Sequence, residues 1–218
     1  MIVIFDWDGT LCDSVDGIVL AMRAAAAELD IPPPADAAVR NIVGLGLPQA
    51  VGQLFPALDD GERQAVTEAY SRLYVEVTAG PATLFEGARD MLAELRGRGF
   101  ELAVATGKSR RGLGRVLGGI GMGDYFDSTR CADETASKPD PLMLEQILAE
   151  RGKSVAEAVM VGDSEYDLDM AARAGMASIG VSFGVHPPGR LSRHRPRHIV
   201  DHLSELPALL GGALASGG

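Results

Sequence analysis

Two aspartates two residues apart, in Asp6-Trp7-Asp8-Gly9-Thr10, directly follow the apolar run Ile2-Val3-Ile4-Phe5. If that run is a buried parallel strand, the pair stands at its carboxyl end, where ligands bind in open α/β sheets. There one carboxylate is placed to attack an electrophile while its neighbour moves protons. In a continuing strand both would face one side, because the side-chain period is two, and Gly9 then permits a sharp turn. Two anions this close repel, which calls for a nearby cation or a protonated carboxyl. The plainer alternative is an Asp-Gly turn closing a strand. A calcium loop needs further oxygen ligands and a late glutamate, whereas Thr10-Leu11-Cys12 turns apolar.

Three other polar groups follow strand-like runs. Thr106-Gly107-Lys108-Ser109 comes after Glu101-Leu102-Ala103-Val104-Ala105, and Gly162-Asp163-Ser164 after Val159-Met160-Val161. Lys138 lies in Ser137-Lys138-Pro139, after a third strand candidate at Tyr125–Thr129. Thr106 offers a hydroxyl and Gly107 close backbone approach, at a helix amino end that favours anions. Lys138 is restrained by the following proline. Asp163 suits magnesium, which takes few carboxylates beside water and phosphate. Asp167, one helical turn on, faces the same rim, and Asp169 points elsewhere. Taken singly, these are helix caps and a solvated lysine. Taken together, they share the carboxyl rim of one parallel sheet and suit phosphoryl transfer.

The elements that must position them follow from periodicity. Val15, Ile18, Val19, Met22, Ala25, Ala26 and Leu29 recur at helical spacing until Pro32-Pro33-Pro34. Leu47 to Phe55 and Val66 to Val77 give two more helices, so residues 16 to about 80 read as all helical. Beyond Gly80-Pro81, strands and helices alternate, which implies a parallel sheet covered on both faces. The expected fold is therefore α/β: a doubly wound, Rossmann-like parallel-sheet core from 1–15 and 81–218, with a helical insertion at 16–80. Gly44-Leu45-Gly46 in that insertion reads as a substrate-facing turn or as plain turn punctuation.

The 218 residues suffice for one sizeable core plus an insert. A formal net charge of -10 argues against nonspecific nucleic-acid binding, so an anionic substrate needs a local positive site such as a metal. Cys12 and Cys131 form no disulfide framework and read as small buried residues. Neither a signal peptide nor a bilayer-length apolar stretch is expected, which favours a reduced cytoplasmic setting. His186 to His202 holds all four histidines at spacings unlike a zinc site and reads as a solvated loop. The tail from Gly211 to Gly218 reads as frayed.

These motifs resemble those of the haloacid-dehalogenase-like hydrolase superfamily, in particular its phosphoglycolate-phosphatase-like members. The matching residues are Asp6-Trp7-Asp8-Gly9-Thr10-Leu11 with Asp13-Ser14, Thr106-Gly107-Lys108, Lys138-Pro139, and Gly162-Asp163-Ser164 with Asp167, Met170-Ala171 and Ala174-Gly175. They stand in the family order across nearly the whole chain, and the helical block corresponds to the family's cap. Trp7 is an unusual filler, expected to alter packing and not chemistry. The resemblance implies that Asp6 attacks phosphorus and that Asp8 serves as acid and then as base. It implies Mg²⁺ on the Asp6 carboxylate, the Asp8 carbonyl and Asp163. Thr106, Gly107 and Lys138 would hold phosphoryl oxygens, and Asp167 would orient Lys138 or a metal-bound water. The expected activity is phosphatase action on a small phosphorylated metabolite, phosphoglycolate being one. A phosphosugar mutase is the alternative on the same scaffold. A phospho-acceptor signalling module is a different class, but its acceptor does not lie on the first strand.

Overall fold

A computed structural model describes residues 1–215. Six parallel strands form one sheet: β1 (Ile2–Phe5), β2 (Glu101–Thr106), β3 (Ser128–Cys131), β4 (Ala158–Gly162), β5 (Ala177–Val181) and β6 (His198–Val200), in the order β3-β2-β1-β4-β5-β6. β1 is central. Phe5 aligns with Val104 on one side and Val161 on the other, so the loops after β1, β2 and β4 leave the sheet at one level.

Alternation along the strands divides their side chains between two faces. Val3, Phe5, Leu102, Val104, Val159 and Val161 pack with α5 (Ala88–Gly97), α6 (Arg110–Gly119) and the residues leading into α10 (Leu206–Ala215). Ile2, Ile4, Ala103, Ala105 and Met160 pack with α7 (Leu142–Arg151) and α8 (Glu165–Arg173). Helices on both faces explain the unbroken apolar runs of the inner strands. α1 (Val15–Glu28), α2 (Asp36–Ile42), α3 (Leu47–Leu54) and α4 (Asp60–Val77) surround an apolar cluster of their own, which includes Ile18, Met22, Val39, Val51 and Val66. Asp59 and Glu62 start α4 with a reciprocal capping box.

Several sequence expectations need correction. The third strand is Ser128–Cys131, not Tyr125–Thr129. Tyr125 and Phe126 pack against the main core, and Asp127 pins the entry by accepting from the Leu102 amide at 2.8 Å. α2 falls in a stretch with no strong periodicity, only Val39 and Ile42 being buried. The segment His186–His202 is not simply a solvated loop. It carries the short helix α9 (Pro188–Leu191) and strand β6, and His186 is buried. Gly211 lies within α10, which runs to Ala215, while residues 216–218 of the expected frayed tail lie outside the described residues. Among the described residues, no helix is long and apolar enough to cross a membrane.

Candidate active site

The loop after β1 is built by its own backbone. The Asp6 amide continues the ladder by donating to the Val161 carbonyl at 2.9 Å. The amides of Leu11 and Cys12 then both turn back onto the Trp7 carbonyl. Gly9 sits at φ 83°, and a Cβ there would lie 2.2 Å from an Asp163 carboxylate oxygen. Only glycine allows both the turn and that approach. Trp7 is fully buried and meets Phe126 edge to face, a packing role as expected.

Lys138, Asp6, Asp163 and Asp167 come together although they span most of the chain. The Lys138 ammonium, entirely buried, donates to Asp6 Oδ1 at 2.7 Å and to Asp167 Oδ1 at 2.6 Å. The other Asp167 oxygen accepts from the amide and hydroxyl of Ser164, which starts α8 and fixes the carboxylate there. Asp163 accepts from the Thr10 hydroxyl at 2.9 Å and from the Val185 amide at 2.8 Å. Gly184 permits that last contact, because a Cβ on it would stand 2.1 Å from Asp163 Cβ.

This cluster is electrostatically incomplete. Carboxylate oxygens of Asp6, Asp163 and Asp167 lie within 4.8 Å of one another, all three residues being buried. One ammonium serves three carboxylates, and Asp6 Oδ2 is buried with no hydrogen-bond partner. Burial holds the Asp6 carboxyl well above its ordinary range, Lys138 opposing and the neighbouring aspartates adding to the effect. Burial, reinforced by Asp167, pushes Asp163 up to about 7. A hard divalent cation beside Asp6 and Asp163 would supply the missing charge and occupy the orphaned oxygen. The residues present therefore fit magnesium.

Asp8 has a separate environment. Its Oδ1 accepts from the Ser14 hydroxyl at 2.5 Å and lies 3.0 Å from the Lys108 ammonium. Lys108 also donates to the Tyr74 hydroxyl of α4 at 3.2 Å and lies over the Tyr74 ring, 4.6 Å from its centroid. Burial drives the Lys108 pKa down, but Asp8 and Tyr74 outweigh it and hold the ammonium above its ordinary range. Thr106 and Gly107 end β2, beside β1. Thr106 Oγ1 accepts from the Lys108 amide at 3.2 Å, and neither residue hydrogen-bonds to Asp6 or Asp8.

The Gly44-Leu45-Gly46 turn roofs this rim. A Cβ on Gly107 would come within 2.5 Å of the Leu45 carbonyl oxygen, and the Gly46 amide donates to Ser137 Oγ at 2.7 Å. Thr10, Ser14, Lys108, Tyr74, Gly184 and Val185 were not assigned by sequence reasoning. The rim rule could have found Gly184 and Val185, because they follow β5, the neighbour of β4. His186 joins no metal-binding group among the described residues. Its Nδ1 accepts from the Glu165 amide at 2.9 Å, and burial lowers its pKa.

The sequence profile of the haloacid dehalogenase-like hydrolases matches residues 3–181. A probable phosphatase, IndB, of Dickeya dadantii is 39% identical over 209 residues, covering 94% of this chain and 91% of that protein. A phosphoglycolate phosphatase of Vibrio vulnificus is 30% identical over 213 residues, covering 94% and 93%. Among solved structures, a predicted phosphoglycolate phosphatase from Haemophilus somnus superposes with TM-score 0.85 at 23% identity, covering 96% of this chain and 97% of that one. A hydrolase from Pseudomonas syringae superposes with TM-score 0.88 at 22% identity, covering 97% and 98%. At such identities the structural likeness concerns the fold. The profile match and the similarity to IndB establish that the chain belongs to the haloacid dehalogenase-like hydrolase family and is a phosphatase of that family.

Proposed function

We propose that this phosphatase hydrolyses small phosphate monoesters with Mg²⁺, through a phosphoryl group carried transiently on Asp6. The observation that carries the reading is the state of Asp6. It is buried, with one oxygen on Lys138 and the other without a partner, beside the Asp163 carboxylate.

The Asp6 carboxylate, the Asp8 carbonyl and Asp163 would hold Mg²⁺. When bound, the ion neutralises phosphoryl charge and so lowers the repulsion between an anionic nucleophile and an anionic ester. Asp6 forms a bond to phosphorus as the bond to the leaving alcohol breaks, and Asp8 gives the departing oxygen its proton. Asp8, now a carboxylate, then takes a proton from water as that water attacks the phosphoryl group. The bond to Asp6 breaks and inorganic phosphate leaves. Lys138 fixes Asp6 and offsets charge on the transferring group. Thr106 and the Gly107 amide hold the phosphoryl oxygens, and Asp167 orients Lys138.

Residues 16–80 act as the cap over a core of 1–15 and 81–218, a division supported by the separate apolar cluster of α1–α4 and by the turn roofing Gly107. Closure of such a cap excludes water and selects the leaving group. Phosphoglycolate is the first substrate to try, since relatives bear that name. The two buried free thiols, Cys12 and Cys131, suit a reducing, cytoplasmic setting.

The test is phosphate release from a panel of small monoesters, phosphoglycolate and sugar phosphates included, with Mg²⁺ and with excess chelator. Asp6→Asn is expected to fold and to lose at least ~1,000-fold in turnover, and chelation to stop the wild type. Wild-type release by Asp6→Asn removes it as nucleophile, and full activity in chelator removes the metal. Isomer exchange of a sugar phosphate without phosphate release would identify a mutase.

A further inference from the structure

We propose that Lys108 recognises the leaving-group half of the substrate, and that the preferred substrates carry an anion, such as a carboxylate, on that half. The inference rests on the proposed function, which puts the leaving oxygen beside Asp8.

Lys108 stands where such a group must lie. Its backbone belongs to the Thr106-Gly107 turn, with its amide on Thr106 Oγ1 at 3.2 Å. Its ammonium reaches across to Asp8 at 3.0 Å. The ammonium therefore lies within one atom's width of the carboxylate that meets the leaving oxygen. A substituent one carbon beyond that oxygen is ~3 Å away from it, within reach of the same ammonium.

The ammonium also has capacity to spare. It carries three N–H donors. Asp8 takes one and the Tyr74 hydroxyl another, at 3.2 Å, and no third acceptor contacts it among the described residues. Lys138 has no such freedom of approach, being fully enclosed between Asp6 and Asp167.

The surroundings set the character of the ligand. Tyr74 and Tyr70 stack with ring centroids 5.6 Å apart, and the Tyr74 ring faces the ammonium. Arg115 adds a second positive charge, its guanidinium 5.7 Å from the same ring centroid and hydrogen-bonded to Thr78 Oγ1 at 3.0 Å. In a chain of net charge -10, two cations grouped at one end of α4 make a local attractor for an anion. The roof formed by Gly44 and Leu45 leaves little room beyond Gly107, which favours a short substituent.

The test compares 2-phosphoglycolate with its uncharged amide, two esters of similar shape, in the wild type, Lys108→Met, Lys108→Arg and Tyr74→Phe. Any general damage to Asp8 cancels in the ratio of the two kcat/KM values. The wild type is expected to favour the acid by ~10-fold or more, mostly through KM. Lys108→Met is expected to bring the ratio near unity. Lys108→Arg should restore part of it, and Tyr74→Phe, which keeps the ring, should preserve most of it. A ratio unchanged in Lys108→Met, or a wild type that hydrolyses p-nitrophenyl phosphate but does not prefer the acid to its amide, overturns the proposal while sparing phosphatase function. Failure to hydrolyse any monoester instead overturns the reading beneath it.

Discussion

Gly184→Ala adds one methyl group and removes no functional atom, yet it is expected to disable the enzyme. The new Cβ would stand 2.1 Å from Asp163 Cβ and 2.3 Å from Oδ2. Comfortable carbon contacts are about 3.5–4 Å, so Asp163 or the 184–185 backbone must move by roughly 1.5 Å. Asp163 has little room to retreat, because Gly9 already abuts its carboxylate on the β1 side. Movement of the loop instead breaks the Val185 amide bond, now 2.8 Å. Overpacking costs about 1–3 kcal/mol, and loss of a hydrogen bond to a charged group about 1.5–3 kcal/mol. Together they lower the melting temperature by roughly 5–20 °C. Displacement of a positioning carboxylate by ~1 Å lowers turnover on the order of 100-fold, and the Mg²⁺ midpoint should rise ~10-fold or more. The assay is phosphate release across a Mg²⁺ titration, with thermal melting alongside. Gly123→Ala serves as the control, since a Cβ there meets nothing within 4 Å. A Gly184→Ala enzyme with unaltered melting, Mg²⁺ midpoint and turnover would show that Asp163 does not depend on this cradle.

Two further outcomes follow from the buried charges. Lys138→Met leaves Asp6 and Asp167 without their shared ammonium in a site that is 0–1% exposed; breaking such a pair costs about 3–5 kcal/mol, so melting should fall by ~10 °C, and a fall below ~2 °C would count against the pairing. Asp163, pushed up to about 7 by burial, binds its proton more tightly folded than unfolded. Its contribution to stability is therefore complete below the ordinary aspartate range, near pH 4, and is lost as the pH rises through about 7. In metal-free protein the wild type should lose stability relative to Asp163→Asn over that window, and Mg²⁺ should reverse the loss. Parallel melting curves for the two proteins from pH 4 to 8 would contradict the shift.

The legible parts of the fold are those whose burial leaves a mark on side-chain type. β1, β2 and β4 are enclosed on both faces, so Ile2-Val3-Ile4-Phe5 and its counterparts read as unbroken apolar runs. β3 is an edge strand of sequence Ser-Thr-Arg-Cys and carries no such mark. The nearby aromatics Tyr125 and Phe126 drew the expected strand upstream, although they serve the core and not the ladder. The site divides in the same way. Aspartates, a threonine and a lysine at strand ends announce themselves. The Val185 amide that holds Asp163 is a backbone group, and its only sequence trace is the glycine before it. His186 was read as part of a solvated loop because a lone histidine carries no environment with it. In the fold its Nδ1 accepts from the amide that opens α8.

The deeper result is how two aspartates only two residues apart come to differ. Each receives its own lysine from a different part of the chain. Asp6 meets Lys138, which is sealed from solvent and shared with Asp167. Asp8 meets Lys108, which is also tied to Tyr74 on α4. The Asp6 side keeps an oxygen with no partner inside a cluster short of positive charge, a setting made for a cation and an electrophile. The Asp8 side has Ser14 and Lys108 on one oxygen, which leaves the other as the atom for exchanging protons with whatever enters beneath α4. Sequence spacing alone cannot separate a nucleophile from an acid when the residues are identical. Two distant lysines, delivered by β2 and by the loop after β3, create the asymmetry that the proposed division of labour requires.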